Sequence, residues 1–317
     1  MNQDKITIVV PCYNEEEVLQ IFMQEIMDTQ EKLPEALLEV LFVNDGSTDN
    51  TLEGIKQLHA QYPTHVSYLS FSRNFGKEAA MIAGLEHARG DYIAVMDADL
   101  QDPPEMLIDM YQWIVDEGYD VVATARNTRA GEPPIRSFFA RMFYKLNNKI
   151  ADIHLEEGAR DYRMMTRQVV NEVIRLTERN RFSKGLFSWV GFDVKYLEYK
   201  NVERVAGTTS WSFWGLFDYA IDGLVTFSGA PLSLASFVGF VTFLVSILMG
   251  FYIVVRTLIF GDPTPGWPSL AVLILGMSGL QLLGLGIIGK YIEKIFIETK
   301  QRPLYVLKEK ELTKEAK

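Results

Sequence analysis

From residue 5 to about 126 the chain alternates short apolar runs with segments whose apolar positions recur at helical spacing. The runs Ile6–Val10, Val40–Val43, Val66–Phe71, Tyr92–Met96 and Val121–Ala123 are rich in β-forming residues and predict strands. Helical patterns fall between them, near 16–29, 49–61, 76–88 and 104–117. This rhythm predicts βαβ units and an α/β domain built on a largely parallel, doubly wound sheet. Ligands of such sheets bind outside the carboxyl ends of the strands, and three polar turns fall there.

The pattern then changes twice. In Arg136 to Ile150, Phe138, Phe139, Met142, Phe143, Leu146 and Ile150 recur at helical spacing, with Arg136, Arg141, Lys145 and Lys149 interleaved. Such a basic amphipathic helix, about 135–150, suits the membrane surface; a core-packing helix with a solvated basic face is the other reading. Trp211 to Phe227 repeats the idea in a juxtamembrane stretch, about 211–230, with Trp211, Trp214 and Tyr219 suited to the headgroup layer.

Leu232 to Val255 is 24 residues without a charge, and Trp267 to Gly289 is another 23. As helices each is long enough for a hydrocarbon core of about 30 Å, so a transmembrane hairpin is expected over 231–290. The linker between the spans carries one Arg and one Asp, whereas Lys290, Lys294, Lys300, Arg302, Lys308, Lys310, Lys314 and Lys317 follow them. The positive-inside rule then places the 291–317 tail, and with it the 1–210 domain, in the cytoplasm. Small residues at Ala235/Gly239 and Ser246/Gly250 suit a close helix contact, either with the second span or with another copy in a homo-oligomer.

Composition narrows the function. The 317 residues allow one large domain with an appendage, and the apolar run at the N-terminus is too short for a signal peptide. Net charge is −10, and the first domain has no long basic stretch, which argues against nucleic acid as a partner. The single Cys12 cannot form an internal disulfide, in keeping with a reducing compartment. No G-x-G-x-x-G follows the first strand and no G-x-x-x-x-G-K-[ST] occurs, which removes the main support for a dinucleotide oxidoreductase or a P-loop phosphotransferase. The four scattered His read as structural or solvated.

The candidate chemistry sits in the turns. Tyr92 to Glu105 ends an apolar run in Asp97 and Asp99, followed by Gln101 and Asp102. Carboxylates two residues apart on an extended strand point the same way and can share one Mg²⁺ or Mn²⁺, although acidic strand ends also merely solvate loops. Pro11, Cys12, Tyr13, Asn14 and Glu15 offer a fixed backbone, an aromatic face and a carboxylate, suited to a nucleobase or, more plainly, to helix capping. In Asn44 to Asp49, Asp45 at the strand tip is the functional candidate and Asp49 the cap of the next helix. Lys77, at the start of a helix, favours an anion through both dipole and ammonium.

The order P-x-Y-N-E, V-N-D-G-S-T-D, N-F-G-K and D-A-D-L-Q-D-P-P-E resembles the inverting family 2 glycosyltransferases of the nucleotide-diphospho-sugar (GT-A) fold. The likeness is nearest to the polyprenyl-phosphate branch, which includes dolichol-phosphate mannosyltransferases and bactoprenol glucosyltransferases. It continues through G-A-R-D-Y-R-M-M at 158–165, R-F-S-K-G-L at 181–186 and R-V-A-G-T-T-S-W-S at 204–212, and covers nearly the whole chain. The resemblance implies that Pro11, Tyr13, Glu15, Asp45, Lys77 and Asp97 bind the nucleotide sugar, and that Asp97, Asp99 and Gln101 hold a divalent metal ion. It implies catalytic roles for Asp99 and Asp161, and contacts from Arg126, Arg136 and Arg204 to the phosphate of a polyprenyl lipid.

Two positions depart from the family pattern: Ser210 stands where relatives usually carry Lys or Arg, and Ala140 where a Ser commonly follows Arg136. Lys184 or Arg141 can absorb either loss. The implied reaction is transfer of a hexose, from UDP-glucose first and UDP-N-acetylglucosamine or GDP-mannose next, to undecaprenyl phosphate at a bacterial cytoplasmic membrane. A processive polysaccharide synthase would normally add a Q-x-x-R-W motif and a larger membrane channel, and neither is present. A catalytically silent scaffold is opposed by intact Asp97, Asp99 and Asp161.

Overall fold

The computed structural model describes residues 3–126, 144–145, 147–149, 153–199, 228–260 and 266–313. Four strand and helix pairs open the chain: β1 (Asp4–Cys12), α1 (Leu19–Lys32), β2 (Ala36–Asn44), α2 (Thr51–Gln61), β3 (Val66–Phe71), α3 (Lys77–His87), β4 (Tyr92–Val95) and α4 (Met106–Val115). These follow the sequence pattern, with β1 and β2 longer than their apolar cores. There follow β5 (Val121–Arg126), β6 (Ala159–Thr166), α5 (Arg167–Arg175), α6 (Ser183–Trp189), β7 (Val194–Tyr199), α7 (Ala230–Phe260), α8 (Trp267–Lys300) and β8 (Leu307–Glu311).

The eight strands form one sheet in the order β7-β5-β6-β4-β1-β2-β3-β8. Helices cover both faces, which is why β1 and β2 read as continuous apolar runs rather than alternating ones. On one face Ile6, Ile8, Val10, Val40 and Phe42 pack with Phe22, Ile26, Ile55 and Leu107. On the other, Val9, Leu41, Val43 and Val95 pack with Ala80, Ala83, Val170 and Phe187. Gly84 of α3 is pressed onto β1 so closely that a Cβ there would lie 2.1 Å from Val9 Cγ1.

The expectation of a largely parallel sheet needs correction. The sheet is mixed: β6 runs antiparallel between β4 and β5, and β8 runs antiparallel along β3. Neither strand carries the alternation that marks βαβ units, so the pattern could not announce them. Within the parallel part the order β3-β2-β1-β4 places a topological switch between β1 and β4, and the turns that follow those two strands flank it.

The described part of the basic tail, 291–313, is ordered against the domain. The last turns of α8 lie on the 179–180 loop, where Lys294 Nζ donates to Asn180 Oδ1 at 2.7 Å and Glu298 accepts from the Arg179 backbone at 2.7 Å. Tyr305 stacks on Phe71 at 5.0 Å and β8 then extends the sheet. Beyond it, Thr313 donates to Glu39, a buried carboxylate that also binds Lys5 at 2.7 Å and Ser67 at 2.9 Å.

Among the described residues one helix, α7, is long and apolar enough to cross a bilayer; its most apolar stretch has a mean hydropathy of 2.5 and none of it is buried. α8 is a single helix of 34 residues that runs on past Gly289 to Lys300. Tyr291 donates to the Ser228 carbonyl at 2.7 Å, which ties the base of α8 to the start of α7. Among the described residues, a Cβ at Gly239 or Gly250 would meet nothing within 4 Å. Most of the amphipathic segment at 135–150 and of the juxtamembrane stretch at 211–230 lies outside the described residues, although 144–145 and 147–149 are helical.

Candidate functional site

The β4–β6 register builds the centre of the site. The ladder ends at the Val95–Arg163 pair, and Asp97 and Asp161 each lie two residues beyond that end. Lys77, the first residue of α3, reaches across to both: its Nζ lies 2.7 and 2.9 Å from the two oxygens of Asp97 and 2.8 Å from Asp161 Oδ2. Asp99 is buried and accepts from the Gln101 backbone at 3.1 Å, while Leu100 between them takes a left-handed conformation, φ +55°. That turn keeps Asp99 beside Asp97 at the strand tip.

The loops after β1 and β2 are knitted together. Asn14, itself left-handed at φ +56°, donates its backbone N–H to Ser47 Oγ at 3.0 Å and accepts from the Thr48 backbone at 2.9 Å. The Glu15 backbone donates to Thr51 at 2.8 Å, so Glu15 follows β1 into the same edge. Tyr13 is nearly half exposed at the rim, and Pro11 pairs with Val43 inside the β1–β2 ladder. Asn50 stands at the N-cap of α2 with no side-chain cap bond, and Asp49, the expected cap, sits one residue earlier and accepts from the Thr51 backbone at 3.0 Å.

Asp45 has a task the sequence did not disclose. Its two carboxylate oxygens accept from the Phe75 and Gly76 backbones, at 2.6 and 2.8 Å, and so fix the entry to α3 and the placement of Lys77. Burial pushes the Asp45 carboxyl up, against the pull of those two amides. Gly46 beside it has φ +64°, and a Cβ there would lie 2.3 Å from the Arg73 carbonyl carbon, so only glycine lets the two loops close.

Burial alone would raise the Asp161 carboxyl, but Lys77, Lys184 and Arg163 overcome it and hold the group well below the usual carboxylate range. Burial likewise opposes charge on Lys77; Asp161 and Asp97 outweigh it, and the ammonium pKa lies above its ordinary value. The depressed carboxyl contributes stability that is complete above the unfolded value near ~4 and lost as pH falls through the lower folded value. The raised ammonium contributes stability that is complete below ~10.4 and lost as pH rises through the higher folded value. Between about pH 5 and 9 the pair is therefore fully ionised and its contribution flat. A carboxyl carbon resonance for Asp161 that titrates inside that window would contradict this.

Sequence reasoning passed over a second layer. Arg160 donates to Gln101 Oε1 at 3.1 Å and approaches Asp102 at 3.5 Å, and Tyr199 also donates to Asp102. The Gln101 carbonyl is thereby oriented by β6, although it lies on the turn after β4. Burial raises the Asp102 carboxyl despite Arg160 and Tyr199. The G-A-R-D-Y-R segment carried the signal, in that Arg160 adjoins Asp161. Of the basic residues expected at the acceptor, Arg126 ends β5 opposite Tyr199, while Arg136 and Arg204 lie outside the described residues. A cavity of about 210 Å³ is lined by Arg163 and Lys184, two of the cations that act on Asp161, with Tyr196, Phe187 and His154 among others.

No three His, Cys, Asp or Glu side chains among the described residues converge as a complete metal cage. Asp97 and Asp99, two residues apart after β4, and the Gln101 amide oxygen are nevertheless donor types that fit Mg²⁺ or Mn²⁺, ions bound through one or two carboxylates with substrate phosphates completing the shell.

Comparison with known proteins places these features in context. The sequence profile described as glycosyl transferase family 2 matches residues 7–174. The bactoprenol glucosyl transferase of Shigella phage SfV is 43% identical over 307 residues, covering 96% of this chain and 98% of that protein. The prophage bactoprenol glucosyl transferase homolog of Escherichia coli strain K12 is 42% identical, again over 96% of this chain and 98% of the other. Among solved structures, mannosyl-3-phosphoglycerate synthase from Rubrobacter xylanophilus superposes with a TM-score of 0.47 at 16% identity, covering 69% of this chain and 71% of that one.

Proposed function

The chain belongs to glycosyl transferase family 2, and from that premise we propose that it is a membrane-anchored inverting enzyme that moves a hexose from a nucleotide sugar to undecaprenyl phosphate. The observation that carries this reading is the near-full-length likeness to bactoprenol glucosyl transferases, which includes the helices beyond the catalytic sheet as well as the sheet itself. Glucose from UDP-glucose is the first choice of donor, and the product is a β-linked polyprenyl-phosphate sugar.

The donor lies across the switch between β1 and β4. Tyr13 stacks on the base and Glu15 accepts from it, with Pro11 and Asp45 shaping the floor. Asp97, Asp99 and Gln101 hold Mg²⁺ or Mn²⁺, which supplies neutralisation of the charge that develops on the leaving diphosphate. A phosphate acceptor is already anionic near neutral pH, so it needs orientation more than deprotonation. Arg126, Arg136 and Arg204 provide that orientation. Asp161, held ionised by Lys77, positions the sugar and opposes the positive charge that grows on its anomeric carbon; a group so acidic is a poor proton acceptor.

Both spans are part of the proposal. β8 follows α8 and pairs with β3, so the chain that leaves the domain at α7 returns to it. A crossing by α7 thus requires a second crossing by α8, and at 1.5 Å per residue either helix is long enough for about 30 Å of hydrocarbon. The catalytic sheet and the C-terminal strand then share the cytoplasmic side.

A donor panel tests the reading: UDP-glucose, UDP-N-acetylglucosamine, UDP-galactose and GDP-mannose, each with undecaprenyl phosphate, detergent-solubilised protein and either Mn²⁺ or EDTA. One metal-dependent lipid-linked sugar, identified by mass, is the expected result. Absence of any lipid-linked product from every donor would sink it.

A further inference from the structure

Both oxygens of Asp97 face one ammonium, that of Lys77, at 2.7 and 2.9 Å, and the same nitrogen contacts Asp161 at 2.8 Å. Asp97 also stands in the pair of carboxylates fitted to a divalent ion. An ion that takes Asp97 while Lys77 stays beside it meets a like charge within a few ångströms. The side chains of Lys77 and Asp97 stay 36% and 31% exposed, so an ion from solvent reaches the pair without unpacking the domain.

Resting on the metal-using donor site just described, we propose that Lys77 is a counter-ion built into that site: it pairs with Asp97 until a divalent ion displaces it, and keeps Asp161 in place throughout. The geometry gives it both roles. Asp45 fixes the backbone at Phe75 and Gly76, so the start of α3 is anchored and the Lys77 ammonium, in contact with both carboxylates, can give up Asp97 and keep Asp161 without moving the helix. Once released from Asp97, the ammonium is held by Asp161 and directed at the space a diphosphate would fill, beside the N-terminus of α3. Lys77 thereby weakens metal binding to the nucleotide-free protein and favours a metal ion that arrives with a diphosphate able to accept the displaced ammonium.

Mn²⁺ binding to the full-length protein in detergent, read by the loss of the free-ion electron paramagnetic resonance signal, tests this without any turnover. In the absence of nucleotide, Lys77→Met and Lys77→Gln should bind Mn²⁺ about tenfold or more tightly than the unaltered protein, because a like charge within a few ångströms of the ion is gone. Lys77→Arg, which keeps the charge, should stay near the unaltered value. Unchanged or weaker binding by both neutral variants would overturn the proposal while leaving the donor site intact. A loss of thermal stability in both with no gain in Mn²⁺ affinity would also overturn it, since Lys77 would then serve only to hold the buried Asp161. Failure of any variant and of the unaltered protein to bind Mn²⁺, even with UDP or GDP added, would remove the metal-using site and this proposal with it.

Discussion

Asp99→Asn should lower kcat/KM for sugar transfer by about 10²–10³, with the thermal transition of the protein almost unmoved. Asparagine keeps the shape of the side chain and an oxygen that can accept from the Gln101 backbone, the bond that Asp99 makes at 3.1 Å. The turn through left-handed Leu100 is therefore retained. What is removed is a full negative charge beside Asp97 at the tip of β4, in a buried setting where charge is worth more than in water. The leaving diphosphate needs its counter-charge most in the transition state, so kcat should fall at least as far as the apparent donor affinity. A loss smaller than fivefold would mean that Asp99 shapes the turn and little else. Added Mn²⁺ should not restore the lost rate, because the deficit lies in the ligand set rather than in occupancy.

The second large effect is on stability. A chain ending at Pro303 loses β8, the Tyr305 ring stacked on Phe71, the Tyr305 hydroxyl bond to Glu86 and the Thr313 bond to Glu39. It also loses Glu309, which pairs with Lys56 at 2.8 Å on the surface. The surface pair matters little. The buried carboxylate of Glu39 matters more: Lys5, Thr7 and Ser67 remain, but a charge-assisted bond is gone and the opened edge of β3 exposes Leu69 and Phe71. The sum of one aromatic pair and two or three bonds to charged groups is about 3–5 kcal/mol, enough to lower the domain's melting temperature by several degrees. β3 runs directly into the loop whose N–H groups Asp45 holds, so the truncated protein should also show a raised KM for the nucleotide sugar. Thr313→Val, which removes a single donor to Glu39, should reproduce about 1–2 kcal/mol of the loss. An unchanged melting temperature for the truncated chain would show that β8 is an appendage.

These two expectations draw on different kinds of information. Asp97 and Asp99 were legible in the chain because a strand that is buried on both faces must be continuously apolar, and a polar turn straight after it marks the ligand-binding end of the sheet. The same logic located β1 to β4 and their helices to within a few residues, including Lys77 at the start of α3. Asp161 was legible only through likeness of motif, since nothing in the local pattern of β6 predicts an antiparallel strand inserted between β4 and β5.

What the sequence determined by itself is the set of local decisions: where apolar runs become strands, where helices begin, and which turns carry carboxylates. These depend on side-chain period and on backbone preference within a few residues. Tertiary structure alone decided that Asp97 and Asp161 come together at the end of the β4–β6 ladder, where Lys77 bridges them, and that Asp45 spends both oxygens on the entry to α3. It alone decided that Leu307–Glu311, five residues dominated by charge, would become an edge strand. The physical reason is the same in each case. Strand pairing and ion pairing between residues 20 to 240 positions apart draw their free energy from the partner they meet, and a chain read in order does not contain that partner's position.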